Sequence, residues 1–225
     1  MATHSLTDPI EIARHNMVEQ QIRPWDVLDP NVLAALYQVK REGFVPASHQ
    51  HLAFFDMDIP LADGQVMLSP KLQARLVQEL NLQAQDQVLE IGTGTGYTAA
   101  LMAQLAHTVT TIESNPNIAA AAKANLARAG IHNVVLMEGD GLAENGLWHR
   151  QQFDAILITG SLPSVPDHLF EMLKPDGRMV VIVGQLPIMQ ATLFTKRGTS
   201  ISEISLFDTV APMLTGAAVP SSFSF

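Results

Sequence analysis

The chain contains no cysteine. Disulfides, thiolate metal centres and thiol nucleophiles are therefore excluded. Positive charge is scarce as well: 13 Lys and Arg stand against 22 Asp and Glu, for a formal net charge of −9. Lys40, Arg41, Lys196 and Arg197 are too few and scattered to form the basic stripe that tracks a phosphate backbone, so no nucleic-acid partner is expected. No stretch approaches the ~18 apolar residues of a membrane span. The opening MATHSLTDPIEIARHNMVEQQ lacks the apolar centre of a secretion signal. No membrane contact is expected, and the expected compartment is the cytosol. His49 and His51 stand at i and i+2 beside Asp56 and Asp58, without a third well-spaced ligand, so no metal is expected.

What is present is a chain of 225 residues, 47% apolar and 16% charged, enough for one globular domain with a substantial core. Residues 9 to 46 read as two helices, the second opening on Asp29 as N-cap with Pro30 in its first turn. A loop-rich stretch broken by Pro46, Pro60 and Gly64 follows, and Ser69-Pro70 starts another helix. From Gln87 short strands and helices alternate: QVLEI, TVTTIE, NVVLMEGD, FDAILIT and RMVVIVG as strands, with VPDHLFEMLKPDG as a helix between the last two. QATLFTKR and SEISLFDTV close the pattern as an antiparallel pair. This is the signature of an α/β fold, a mostly parallel, seven-stranded, doubly wound, Rossmann-like sheet. Trp25, Trp148 and most methionines read as core filler; an exposed Met67 would instead favour an apolar ligand.

In such sheets the ligand sits at the carboxyl ends of the strands. There the sequence reads VLEIGTGTGYTAA, residues 88–100. No lysine follows for a Walker phosphate loop, and Tyr97 stands where a dinucleotide fingerprint needs its third glycine. What remains is Glu90-x-Gly92-x-Gly94-x-Gly96. The glycines allow close approach, and the N–H groups opening the next helix suit a carboxylate as well as a phosphate. Glu113 ends the second strand, where one carboxylate can accept from both hydroxyls of a ribose. Asp140 ends the third, within the GDG of residues 139–141, placed to accept from an exocyclic amine. A ligand with a carboxylate, a ribose and an adenine, but no phosphate, is S-adenosylmethionine.

The chain resembles the protein-L-isoaspartate (D-aspartate) O-methyltransferase family from about residue 16 to 215. The resemblance rests on MVEQQI, VLAALYQVKREGFVP, AFFDMDIPLADGQ, the glycine loop, NVVLMEGDG, FDAILITG and LKPDGRMVVIVG, with Arg41–Pro46 and Gly64-Gln65 the most particular. It implies a class I methyltransferase fold and methyl transfer from S-adenosylmethionine to isoaspartyl side chains of peptides or proteins, which initiates repair. It also implies an N-terminal helical segment and substrate loop (1–80) packed on a cofactor-binding core (81–215), one structural domain overall, with a tail at 216–225. The oligomeric state is left open. Implied cofactor contacts are Glu90, Ile91, Gly92, Thr93, Gly94, Gly96, Tyr97, Glu113, Ser114, Gly139, Asp140, Gly141 and Thr159. In the family's substrate loop, Gly-Gln-Thr-Ile-Ser-x-Pro, two hydroxyls lie close to the acceptor. Here Val66 and Leu68 take those positions. Ser69, which also reads as a helix N-cap, and Ser161 are the candidate replacements. The loss of hydroxyls leaves two alternatives beside isoaspartyl methylation: another carboxylate or small molecule as acceptor, or a non-catalytic cofactor-binding protein.

Overall fold

The computed structural model describes residues 7–218. Helix α1 (Pro9–Met17) starts where the Asp8 carboxylate accepts the N–H of Ile10 at 2.9 Å. A π-helical turn and a 3-10 turn lead to α2 (Pro30–Gln38), whose N-cap Asp29 accepts from Asn31 and Val32. The loop-rich stretch contains only 3-10 turns and a two-residue antiparallel pair, β1 (Ile59–Pro60) with β2 (Val66–Met67). Helix α3 (Pro70–Glu79) follows. Ser69 occupies its N-cap position, yet its side chain makes no cap bond. The Asp58 carboxylate accepts the N–H of Ser69 itself at 2.7 Å, which sets an acidic group at the positive end of the helix.

The sheet is built from β3 (Gln87–Ile91), β4 (Thr108–Glu113), β5 (Val134–Glu138), β6 (Phe153–Leu162), β7 (Leu173–Gln185), β8 (Ile188–Arg197) and β9 (Ser200–Asp208). Helices α4 (Tyr97–Ala103), α5 (Pro116–Arg128) and α6 (Asp167–Glu171) connect them. The order is β5-β4-β3-β6-β7-β8-β9, parallel through β7 and antiparallel for β8 and β9. The helix expected over VPDHLFEMLKPDG is therefore shorter than its sequence suggests, and LKPDG opens a strand. Pro175 disfavours helix at the residue before it and can give no N–H to one, and Asp176 turns the chain at φ +61°.

Strand β3 lies between β4 and β6, with Ile91 level with Ile112 on one side and Ile158 on the other. The chain leaves β3 toward β4 and later returns on the opposite side as β6. Their loops diverge and leave a crevice at the carboxyl ends. One apolar cluster joins Leu36, Phe44, Leu72 and Leu76 of the first eighty residues to Val88, Leu101 and Val180 of the sheet region. The N-terminal part is thus welded to the wall of the crevice. Of the expected tail, Ala217 packs against a second core cluster, and residues 219–225 lie outside the described residues.

Candidate active site

The glycine loop forms the floor. A Cβ on Gly92, at φ +95°, would collide with the Thr159 hydroxyl, which donates to the carbonyls of Ile91 (3.1 Å) and Gly92 (2.5 Å). Four N–H groups of the loop are already bonded within the protein. Those of Gly92 and Thr93 go to the carbonyl of Ile112, that of Gly94 to Glu113, and that of Gly96 to Thr93. A phosphate would find these donors taken. Gly96 serves packing instead: it is the N-cap of α4, and a Cβ there would press on Leu126 and Ala122 of α5.

Beneath the floor lies a buried chain of polar groups. Thr111 donates to Glu90 at 2.5 Å and meets the Thr93 hydroxyl at 2.6 Å. The second Glu90 oxygen is buried without a partner. Burial, reinforced by the neighbouring Glu113 charge, pushes the Glu90 carboxyl up to about 8, so at neutral pH it is mostly a neutral acid. Glu90 and Thr93 therefore support the loop from below. Glu113 differs. One oxygen accepts from Gly94 at 2.9 Å and the other from Asn115 at 3.0 Å, which leaves each a second lone pair.

Above the floor is a cavity of about 250 Å³. Ile91, Gly92, Gly94, Glu113, Ser114 and Thr159 line it, with Gly139 and Gly141 at its far end. Its charged lining residues, Asp63 and Glu113, are both acidic, and no Lys or Arg lines it. Ile112 and the segment Pro212–Thr215 line it too, which sequence reasoning missed. That segment is fixed by Ser161: its N–H donates to the Pro212 carbonyl at 2.9 Å, and its own carbonyl accepts from Leu214 at 3.0 Å.

Several candidate residues lie elsewhere. Tyr97 is fully buried under the N-terminal segment, edge-on to Phe44, and burial pushes its hydroxyl up to about 12. Asp140 is exposed and accepts from Leu142, while its neighbours Gly139 and Gly141 reach the cavity. Ser161 spends its hydroxyl on the Ala211 carbonyl at 3.0 Å and is not in the lining. Ser69 faces a different groove. Neither serine replaces the missing hydroxyls. Leu68 does line the cavity, with Gln65 and Val66, whereas Met67 is 2% exposed and belongs to the core. Trp148 is buried against Gly139 and Gly146, whereas Trp25 is only half-buried. The His49 and His51 stretch gathers no ligand set: Asp56 pairs with Lys71 at 2.6 Å and Asp58 with the Ser69 N–H.

Arg41, also unassigned from sequence, anchors the loop that carries Leu68. It is wholly buried, donates to the carbonyls of Ala53 and Leu68 (both 2.9 Å) and to Gln73, and lies 4.9 Å from the Tyr97 ring centre. Gln73 in turn donates to Thr98 at 2.7 Å. With no carboxylate bonded to it, burial draws the guanidinium down to about 10, still charged at neutral pH. One cation thus ties the loop at Leu68 to α3 and α4.

Comparison with known proteins agrees with this geometry. The family model described as protein-L-isoaspartate(D-aspartate) O-methyltransferase matches residues 13–211. A protein-L-isoaspartate O-methyltransferase of Methanoculleus marisnigri is 38% identical over 88% of this chain and 90% of its own. Another, from Rhodopseudomonas palustris, is 42% identical over 76% of this chain and 69% of its own. Among solved structures, a candidate member from Plasmodium falciparum, crystallised with S-adenosyl-L-homocysteine, superposes with a TM-score of 0.79. It covers 92% of this chain and 99% of that one at 18% identity, which speaks for the fold. The chain belongs to the protein-L-isoaspartate(D-aspartate) O-methyltransferase family.

Proposed function

We propose that this chain is an S-adenosylmethionine-dependent protein-L-isoaspartate O-methyltransferase. The observation that carries the reading is the cavity between the β3 and β6 ends: acidic where charged, floored by a glycine loop whose Gly92, Thr93, Gly94 and Gly96 N–H groups are spent, and walled by the loop of residues 64–68. It suits a cationic, phosphate-free nucleoside. Gly92, Gly94 and the carbonyls around them would take the methionine end, Glu113 and Ser114 the ribose, and Gly139 and Gly141 the adenine. Glu90 and Thr93 hold the loop in shape. When bound, S-adenosylmethionine supplies an electrophilic methyl group on a sulfonium.

The protein has little covalent chemistry to perform. A carboxylate acceptor with a reference pKa near ~4 is ionised at pH 7 and needs no general base. What the chain contributes is alignment of two reactants and exclusion of water. On the acceptor side the wall is apolar at Val66, Leu68 and Met213, and the side-chain amide of Gln65 is a donor without an internal partner among the described residues. Isoaspartyl-containing peptides or proteins are the proposed substrates, and the cytosol the proposed compartment. Among the described residues no helix is long and apolar enough to cross a membrane.

The test is transfer of labelled methyl from S-adenosylmethionine to an isoaspartyl peptide and not to its aspartyl isomer. No transfer with cofactor demonstrably bound would overturn the acceptor. No calorimetric heat with either S-adenosylmethionine or S-adenosylhomocysteine would overturn the cofactor as well.

A further inference from the structure

The chain holds a single Asn-Gly pair, Asn145-Gly146, in the loop between β5 and β6. Asn145 is exposed and lies in neither helix nor strand. Glycine puts no Cβ beside its amide nitrogen, so nothing shields the preceding side chain from attack by that nitrogen. The fold restrains the pair weakly. The Gly146 N–H donates to the Ala143 carbonyl at 3.5 Å, the outer limit of a hydrogen bond.

The reaction open to this pair needs no catalyst. The Gly146 nitrogen attacks the side-chain carbonyl carbon of Asn145, and the new C–N bond closes a succinimide ring. The side-chain nitrogen leaves as ammonia, taking the proton that Gly146 gives up. Water then breaks one of the two ring C–N bonds. Attack at the side-chain carbonyl leaves aspartate, and attack at the main-chain carbonyl leaves isoaspartate.

The position bears on the cavity. The Trp148 ring is wedged between two glycines: a Cβ on Gly146 would come within 2.1 Å of it, and one on Gly139 within 2.8 Å. Gly139 lines the cavity at the end proposed for adenine. The carbonyl of Gly146 also accepts the His149 N–H at 3.1 Å, which starts the 3-10 turn Leu147–Arg150. An isoaspartyl link carries the main chain through one more carbon, about 1.5 Å of added path. It also leaves a new carboxylate beside the exposed Glu144. A close-packed ring has no slack to absorb such a shift.

We infer that Asn145-Gly146 is a site of spontaneous deamidation, and that its isoaspartyl product loosens Trp148 from Gly139 and weakens nucleoside binding. The loss of binding rests on the cofactor reading above; the site and the movement of Trp148 do not.

The experiment ages wild-type protein and Asn145→Gln in warm, mildly alkaline buffer, beside a free peptide of residues 140–150. Glutamine keeps the amide at an exposed position but closes a ring far more slowly. Peptide mapping should find acid at residue 145 of the wild type, part of it resistant to an aspartate-specific protease. An intact Asn145 in the folded chain while the free peptide converts would overturn the site. The modified fraction, separated by its extra negative charge, should show red-shifted tryptophan emission. Its affinity for S-adenosylhomocysteine should fall by about two- to thirtyfold, the range of indirect effects on a binding site. Aged Asn145→Gln should keep both properties of fresh protein. Unchanged emission and affinity in the modified fraction, or equal losses in the variant, would overturn the link to the cavity. Fresh protein without affinity for S-adenosylhomocysteine would overturn the cofactor reading alone, with mapping and emission still deciding the rest.

Discussion

The guanidinium of Arg41 donates to the backbone carbonyl of Leu68, 2.9 Å away, and so holds in place the residue that stands where the family carries a serine. Arg41→Met keeps the bulk and strands the acceptors on Ala53, Leu68 and Gln73. Each buried polar group left without a partner costs about 1–3 kcal/mol. Thermal unfolding should shift down by several degrees, since 1 kcal/mol moves a domain of this size by ~2–4 °C. The KM for peptide should rise, and cofactor affinity by calorimetry should change little, because Arg41 does not line the cavity.

Gly92→Ala should act on the cofactor instead. The new methyl group would displace the Thr159 hydroxyl at a backbone angle that L side chains rarely adopt. Strain of this kind is worth about 1–3 kcal/mol, so affinity for S-adenosylhomocysteine should drop between about tenfold and about hundredfold. Isothermal calorimetry reads it directly.

Leu68→Ser would restore a hydroxyl to the acceptor wall. A hydrogen bond to a charged partner contributes about 1.5–3 kcal/mol, so KM for an isoaspartyl peptide should fall by about tenfold or more. The same change removes a side chain only 5% exposed. Stability should therefore fall by ~2–5 kcal/mol, measurable by denaturant titration.

Glu90 predicts a pH dependence of stability. Unfolded, its carboxyl ionises near 4.5; folded, burial and the Glu113 charge raise it to about 8. Between those values the native chain holds a proton that the unfolded chain has lost, so this group makes stability fall as pH rises. Glu90→Gln has no proton to lose. From about pH 5 to about pH 8, the wild-type melting temperature should decline more than that of the variant. Equal slopes would mean that the carboxyl is ionised in the fold.

Much of this was legible in the chain itself. Runs such as TVTTIE and FDAILIT are β-branched and bounded by turn residues, so strands followed from local chemistry. The loop at Gly92 and Gly94 and the acid at Glu113 also followed, because strand ends and helix starts are local events. Orientation was less accessible. Alternation along β6 would set Thr159 and Ser161 on one face, but pairing with β7 shifts register between Leu157 and Ser161. Thr159 reaches the cavity, whereas the Ser161 hydroxyl turns to Ala211. Ser69 takes the cap position but makes no cap bond; its N–H goes instead to Asp58, eleven residues earlier, a partner no local pattern announces. Arg41 and Pro212–Thr215 gave no local signal, since their partners lie far along the chain.

The wall built from Pro212–Thr215 bears on how the protein is born. A polypeptide emerges from the ribosome amino end first, so the strands from β3 to β9 leave the exit tunnel before this wall does. The nascent chain can complete its sheet while the cleft still lacks one side. Loading with small molecule would then wait for the stretch that pairs with Ser161, and a chain halted after β9 should keep its far-ultraviolet dichroism yet retain no nucleoside on a sizing column.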